Sequence, residues 1–311
     1  MLTAACVALL FGRILTADSE PAAGLRVVVQ WSRTAARALA PDTLGVDRYG
    51  RFATLAPEFI DDSVVVSIVA AADSRYYPTR IVVSRSRLAD ELRVLVLPRE
   101  WTIRRGRFAG STVRIIPGDA LRRTPDFGSF GRVTNQHVVG WDASSFPLRV
   151  VLRHDMAPNI SARDSIAFWE AAHEVEESIG LPLFAPTSDT IGDNRVFPID
   201  VRLDPGISPS GLTFVSWDRT GRLFEGSVRF RTSREIERPS VVAHELLHAL
   251  GFGHTTAWPS AMQARGIGLP AITAEDAAFA QLLMRVHDLQ DDPLLVGGLL
   301  ETAATVSPIS R

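Results

Sequence analysis

The residues that decide the fold are 244–254, which read His-Glu-Leu-Leu-His-Ala-Leu-Gly-Phe-Gly-His. An apolar run leads into this stretch and predicts a helix. Positions four apart lie on one face of an α-helix, so His244 and His248 can aim their imidazoles at a single point. Gly251 can adopt a left-handed conformation and end the helix without a steric penalty. The chain then turns back, and His254 can bring a third imidazole to the same point.

Three imidazoles around one point are a donor set for a metal ion. Catalytic zinc sites use three protein ligands and keep a fourth position open, whereas structural sites are closed by four. Glu245 follows the first histidine, where it can reach a water molecule at the metal but is badly placed to be a ligand. A chance His-Glu-x-x-His on an amphipathic helix is the alternative interpretation. The glycine and the third histidine argue against chance in a chain with 7 histidines.

A methionine in a short turn-like segment follows the third histidine, at Ser260-Ala261-Met262. The pattern His-Glu-x-x-His-x-x-Gly-x-x-His followed by a methionine turn resembles the metzincin clan of zinc peptidases. The short gap before Met262, and Ala264 where other branches carry a tyrosine, resemble the matrixin branch. The resemblance implies one catalytic Zn²⁺ bound by three histidines, with an apolar methionine floor beneath it. The residues concerned are His244, His248, His254 and Met262.

The same resemblance implies an activity. We expect a zinc-dependent metalloendopeptidase that hydrolyses peptide bonds in a protein or peptide substrate, with Glu245 as the base for a zinc-bound water. Two alternatives from other classes remain open. The chain could be a catalytically weak zinc-binding module, or an adhesion protein in which an accessory domain does the binding. No motif in the sequence indicates a Ca²⁺ site.

Length and composition set bounds on these interpretations. The chain has 311 residues, of which 46% are hydrophobic and 22% are charged, which is enough for two cores. Its formal charge of −2 gives no electrostatic case for nucleic acid. Cys6 is the only cysteine, so the chain forms no intramolecular disulfide. We expect a monomer without a transmembrane span.

The first 21 residues are interpreted as a signal or anchor segment. An apolar run within them is too short to span a bilayer, and Cys6 lies in a faint lipoprotein-like box. We therefore expect an extracellular or cell-envelope location, with a lipid anchor as one option. The alternative interpretation is an apolar first strand or a frayed N-terminus.

Residues 22–116 predict an all-β accessory domain. Short β-branched segments alternate with Gly, Pro and Asp breakers at intervals of roughly ten residues, as in a small antiparallel sandwich. The pattern resembles carboxypeptidase-regulatory-like or fibronectin-like modules. Residues 117–146 are interpreted as a linker, and residues 291–311 as a tail without a convincing pattern.

Residues 147–290 predict the peptidase domain, with a metzincin-type α+β fold of a twisted mixed sheet and an active-site helix. Ser161 predicts the cap of a helix that runs to Gly180. Later segments predict strands, a hairpin with a turn at 218–221, the zinc helix and a closing helix to about Gln290. We expect His173 and His287 at the surface rather than at a metal.

In such domains, one antiparallel edge strand pairs with the extended substrate. The hairpin strand Leu212–Trp217 is the candidate for that role, and an ordinary sheet edge is the alternative. Trp258 could wall a pocket for a substrate side chain, or it could be packing. The substrate-binding candidates are therefore Leu212, Phe214, Ser216 and Trp258.

Overall fold

The computed structural model describes residues 9–22, 24–31, 41–56, 63–70, 74–88, 90–116, 131–134, 137–188, 197–263 and 272–290. Cys6, most of the predicted linker and the 291–311 tail lie outside the described residues. Several β-sheets and a smaller number of helices make a mixed α+β fold, as expected. The chain divides into two compact units. One is formed mainly by Met1–Glu100, and the other by Trp101–Ile115 and Asp119–Leu289.

The first unit contains two β-sheets. A four-stranded antiparallel sheet has the order β3-β2-β5-β6, and a three-stranded sheet has the order β4-β1-β7. The strands are β1 Leu9–Thr16, β2 Leu25–Trp31, β3 Asp42–Gly45, β4 Arg51–Leu55, β5 Ser63–Ala70, β6 Thr79–Ser84 and β7 Leu92–Val96.

A single apolar core joins these two sheets. Alternate residues of β2 are buried, as the period of two in a half-buried strand requires. They contact buried side chains of the other sheet, among them Leu10, Ile14 and Val94. The unit is therefore a sandwich, but β1 and β7 pair in parallel, whereas the sequence predicts antiparallel pairing throughout. Residues 9–16, assigned to the signal or anchor segment, form the middle strand of their sheet.

The second unit is built on a five-stranded sheet with the order β13-β12-β14-β16-β15. All neighbours pair in parallel except the edge strand β15, which is antiparallel to β16. The strands of this part of the chain are β8 Glu100–Thr102, β9 Thr112–Arg114, β10 Val133–Thr134, β11 His137–Val138, β12 Leu148–Leu152, β13 Phe184–Pro186, β14 Ile199–Leu203, β15 Gly211–Trp217 and β16 Leu223–Phe230.

The β8–β9 segment belongs to this second unit, although the sequence places residues up to 116 in the accessory domain. The indole of Trp101 donates to Gln281 at 3.3 Å. The backbone N–H of Arg107 donates to the carbonyl oxygen of Glu177 at 2.7 Å. Composition cannot predict such an assignment, because the segment has β character in either unit and only these contacts distinguish them.

The helices of the second unit are α1 Ala162–Ile179, α2 Ser233–Ile236, α3 Pro239–Ala249 and α4 Ala274–Leu289. A reciprocal capping box between Ser161 and Asp164 starts α1, and Gly180 ends it in the left-handed conformation. Residues Val241–Ala249 of α3 are all buried, because the helix packs against both α1 and β15. Within the described residues, every helix is too short or too polar to traverse a bilayer.

Candidate metal centre

The end of α3 builds the first part of the site. Gly251 has φ of 100°. The N–H of Gly251 donates to the carbonyl of His248 at 2.9 Å, and that of Phe252 donates to Leu247 at 3.1 Å. This pair of bonds is the Schellman arrangement, which satisfies carbonyls that a helix end leaves without partners. The indole of Trp141 donates to the carbonyl of Ala249 at 2.8 Å. The chain therefore reverses directly after the helix, as the sequence predicted.

The reversal brings the three histidines together. The Nε2 atom of His254 lies 3.1 Å from Nε2 of His248 and 3.2 Å from Nε2 of His244. The two helical imidazoles meet edge to face, with ring centroids 4.7 Å apart. The sequence-predicted ligand triad is thus assembled around one point by the described residues.

Backbone carbonyls hold the two helical rings in orientation. Nδ1 of His244 lies 2.6 Å from the carbonyl oxygen of Ala261, and Nδ1 of His248 lies 2.8 Å from that of Phe252. A carbonyl oxygen only accepts hydrogen bonds, so each Nδ1 must carry the proton. In the neutral rings, both Nε2 atoms then present lone pairs to the shared point. Metal-binding histidines are commonly oriented in this way.

A metal ion fits this donor set. The Nε2 atom of His254 lies 3.1–3.2 Å from the Nε2 atoms of the other two rings, which is close to the spacing of nitrogens that share one ion. A tetrahedral zinc ion with Zn–N distances of about 2.05 Å separates its nitrogen ligands by about 3.3 Å. Three neutral imidazoles also match the ligand preference of zinc rather than that of Mg²⁺ or Ca²⁺. The residues therefore suit a borderline-soft divalent ion.

Burial keeps these imidazoles neutral. It lowers the pKa of His244, against the opposing effects of the Ala261 carbonyl and Asp276. It lowers the pKa of His254 to about 4, and repulsion from Arg132 and from His244, when that ring is protonated, adds to the effect. The pKa of His248 lies well below its ordinary value for the same main reason. Neutral rings are the form that binds a metal.

Glu245 directly follows His244 on α3 and is 4% exposed. Burial raises the pKa of its carboxyl group to about 7, while a hydrogen bond from Thr213 lowers it in part. A group that titrates near neutrality can both accept and donate a proton, which general acid–base catalysis requires. Thr213 on β15 was not among the sequence candidates. The alternation of side chains along the predicted edge strand would have indicated that Thr213 faces the opposite side from Leu212 and Phe214.

The segment with Met262 forms a tight turn against the site. The N–H of Gln263 donates to the carbonyl of Ser260 at 3.3 Å, and Met262 is fully buried. Asp276 at the start of α4 stabilises the turn. Its carboxylate accepts a hydrogen bond from the Ala261 N–H at 3.0 Å and another from the Ser260 hydroxyl. The adjacent Ala261 carbonyl then meets His244. Asp276 was not among the candidate site residues predicted from the sequence.

Three of the four substrate-binding candidates lie on β15, and Trp258 lies just before the methionine turn. Successive side chains of a strand point to opposite faces, so Leu212, Phe214 and Ser216 lie on the face of β15 opposite to Thr213. The guanidinium of Arg229 lies 5.0 Å from the Phe214 ring centroid. Trp258 donates its indole N–H to Asp276 at 2.9 Å and stacks on Phe279, so the structure gives it packing contacts.

The remaining histidines differ in their surroundings. The side chain of His173 is 70% exposed beside Glu176 and Glu177, in agreement with the solvated face expected for it. The prediction that His287 lies at the surface is wrong. Its side chain is 5% exposed, and its Nδ1 lies 2.9 Å from the Val138 carbonyl oxygen. The error arose because a helical period alone cannot show that β11 covers this face of α4.

Comparison with protein families and with curated proteins identifies no match. The functional argument therefore depends on the geometry of the site.

Proposed function

We propose that the chain is a zinc-dependent metalloendopeptidase of matrixin-like metzincin type. One observation carries the proposal. The Nε2 atom of His254 lies 3.1–3.2 Å from those of His244 and His248, the Nδ1 protons of the two helical rings are directed to backbone carbonyls, and the residue after His244 is a buried glutamate. Three neutral imidazoles and a neighbouring carboxyl group that is not a ligand make a catalytic donor set rather than a closed structural one.

The histidines His244, His248 and His254 would hold the ion. A bound zinc ion supplies Lewis-acid chemistry by polarising a water molecule and the carbonyl of the scissile bond. Glu245 takes the proton from the attacking water and delivers it to the leaving nitrogen. Because the three imidazoles are neutral, they would leave the positive charge of a bound ion uncompensated where the oxyanion develops.

The edge of the five-stranded sheet supports the proposal of a peptide substrate. Among the described residues, the edge strand β15 pairs with β16 alone. An extended peptide can add to such an edge through backbone hydrogen bonds. Because α3 packs against the same strand, a peptide bound there passes close to Glu245. Backbone pairing would give affinity without demanding a particular sequence.

Digestion of a mixed peptide library, with and without a metal chelator, tests the proposal. We expect internal cleavage of peptides, loss of cleavage in the chelator and recovery on adding Zn²⁺. The purified protein should contain about one zinc per chain. Full cleavage by a metal-free preparation would overturn the proposal. A protein that binds one zinc per chain but cleaves no peptide would instead support the zinc-binding module.

A further inference from the structure

The carboxyl group of Glu245 contacts the edge strand directly. The hydroxyl of Thr213 lies 2.6 Å from Oε2 of Glu245 and 3.1 Å from its backbone oxygen. The carboxylate oxygens can only accept, so the hydroxyl donates to Oε2 when Glu245 is ionised. Hydrogen bonds to ionised groups are about twice as strong as neutral ones. This bond joins the sheet edge to the helix that carries the metal ligands.

A glycine two positions earlier makes room for the same carboxyl group. A Cβ atom on Gly211 would lie 2.5 Å from Oε1 of Glu245 and 2.6 Å from its Cγ. Both distances are far below ordinary van der Waals contact. Residues 211 and 213 share one face of β15, because side chains in a strand alternate. Only glycine therefore leaves enough space for the carboxyl group in this position.

We propose that Gly211 and Thr213 form a positioning slot for the carboxyl group of Glu245. Gly211 provides the space, and Thr213 fixes the rotation of the carboxyl group through its hydroxyl. The inference rests on the proposed peptidase function, in which Glu245 is the base. It goes further because it assigns two roles to β15. The outer edge of this strand binds the substrate backbone, and the residues that face α3 orient the base.

The slot predicts a specific kinetic defect. Removing the hydroxyl leaves Oε2 of a buried carboxylate without this donor, and the group can rotate away from the reacting atoms. A displacement of about 1 Å in a catalytic group can cost on the order of 100-fold in rate. Substrate pairing uses backbone atoms of β15, so the substrate affinity should change little. The loss should therefore appear in kcat and leave KM nearly unchanged.

The test compares Thr213→Val and Thr213→Ser with the wild-type full chain on one peptide cleaved from the library. Valine keeps the shape and loses the hydroxyl, whereas serine keeps the hydroxyl. We expect kcat to fall by about 10- to 100-fold in Thr213→Val, with KM within about twofold, and to be restored to within about threefold in Thr213→Ser. Zinc content should equal that of the wild type in both.

Two further variants complete the comparison. Thr112→Val removes an exposed strand hydroxyl that lies 3.0 Å from the Thr102 hydroxyl, and it should leave kcat unchanged. Gly211→Ala should lower kcat at least as much as Thr213→Val, because its Cβ would displace the carboxyl group. A Thr213→Val protein with wild-type kcat, or a Thr213→Ser protein as impaired as Thr213→Val, would overturn the slot while the peptidase assignment stands.

A structural readout separates this inference from the proposed function. In a crystal structure of metal-free Thr213→Val, the carboxyl group of Glu245 should adopt a different rotation from that in the wild type. An unchanged carboxyl group would overturn the slot. If the wild-type protein cleaves no peptide in a chelator-sensitive way, the proposed function fails, and the crystal structure still decides whether Thr213 fixes Glu245.

Discussion

The imidazole of His244 donates a hydrogen bond from Nδ1 to the backbone carbonyl oxygen of Ala261, 2.6 Å away. This contact joins the metal-facing helix to the methionine turn, 17 residues later in the chain. The N–H of the same Ala261 donates to the carboxylate of Asp276 on α4. The orientation of the His244 ring therefore depends on the Asp276 carboxylate, which acts on the ring through the methionine turn.

Asp276→Ala should destabilise the methionine turn and its contact with His244. The substitution leaves the indole of Trp258 and the N–H groups of Ala261 and Thr273 without their acceptor. Buried donors without partners cost about 1–3 kcal/mol each, so for three donors we expect a loss of at least about 3 kcal/mol in the free energy of unfolding. Zinc affinity should fall by about tenfold or more, because the Ala261 carbonyl no longer holds His244. Chemical denaturation and competition with a chromogenic chelator measure the two effects.

Trp258→Phe is the matched control for that experiment. It removes one donor to Asp276 and keeps an aromatic ring against Phe279, whose centroid lies 4.5 Å from that of the tryptophan. We expect a smaller loss of stability, about 1–2 kcal/mol, with zinc affinity unchanged. If both variants lost zinc equally, Asp276 would not act through the methionine turn.

Substituting single histidines should distinguish the proposed metal ligands from the other histidines. His254→Ala should weaken zinc binding by more than about 100-fold, since loss of an outer partner alone costs 10- to 100-fold. His173→Ala, which changes an exposed histidine, should bind zinc like the wild type. Titration of the metal-free proteins with Zn²⁺ provides the measurement. Equal affinities in the two variants would contradict the ligand assignment.

Glu245→Gln should separate metal binding from chemistry. Glutamine keeps the shape of the side chain and an oxygen that accepts from Thr213, but it cannot take a proton from water. We expect about one zinc per chain and a fall in kcat of at least about 100-fold, within the range for loss of a general base. Metal analysis and peptide hydrolysis on the same preparation check this. Substantial remaining turnover would mean that another group acts as the base.

The sequence predicted the parts of the site that depend on local geometry. His244 and His248 are separated by one helical turn, and Gly251 marks the end of the helix, so both features follow from spacing alone. The start of α1 at Ser161 and its end at Gly180 could likewise be read from capping residues. These signals involve residues close together in the chain.

The parts that escaped prediction depend on contacts between distant residues. Thr213 and Glu245 are 32 positions apart, and His287 is 149 positions from the carbonyl that it meets. A single sequence carries no signal for which face of a strand or helix a distant element covers. The edge strand β15 illustrates this point, because a one-residue choice of face decides whether Thr213 or its neighbours Leu212 and Phe214 face Glu245.

Gly251→Ala should damage both stability and metal binding. The residue has φ of 100°, and a Cβ there would lie 3.0 Å from Cδ1 of Leu223 and 3.3 Å from the Val139 carbonyl oxygen. The strained backbone alone costs about 1–2 kcal/mol. Because the turn also places the Phe252 carbonyl on His248, zinc affinity should fall as well.

Gly110→Ala is the control. Gly110 has φ of 88°, and no atom lies within 4 Å of the added Cβ. This variant should lose about 1 kcal/mol in the free energy of unfolding and should keep the zinc affinity of the wild type.

Acid should weaken the second unit through Asp164 at the start of α1. This carboxyl group is 2% exposed and accepts from the Ser161 N–H at 2.8 Å and the Ser233 hydroxyl at 3.0 Å. Burial alone would raise its pKa, but the hydrogen bonds from Ser161 and Ser233 lower it below 3.8. A carboxyl group with a depressed folded pKa stabilises the fold above its unfolded pKa, and this contribution is lost as the pH falls through the folded value.

Asp164→Asn should therefore be less stable than the wild type at pH 7, by about 1–2 kcal/mol, because asparagine cannot accept as an ionised group. The difference should shrink as the pH falls below about 4, because the carboxyl group of the unfolded chain then takes up a proton that the folded carboxylate still resists. Urea unfolding of both proteins from pH 7 to pH 2.5, in chelator to exclude metal effects, measures this difference in stability.

Asp155→Asn is the control, because it changes an exposed carboxylate. It should shift the free energy of unfolding by less than about 0.5 kcal/mol at each pH. A difference between Asp164→Asn and wild type that stayed constant over this range would mean that ionisation of Asp164 contributes nothing, and that its hydrogen bonds stabilise α1 equally well in the protonated form.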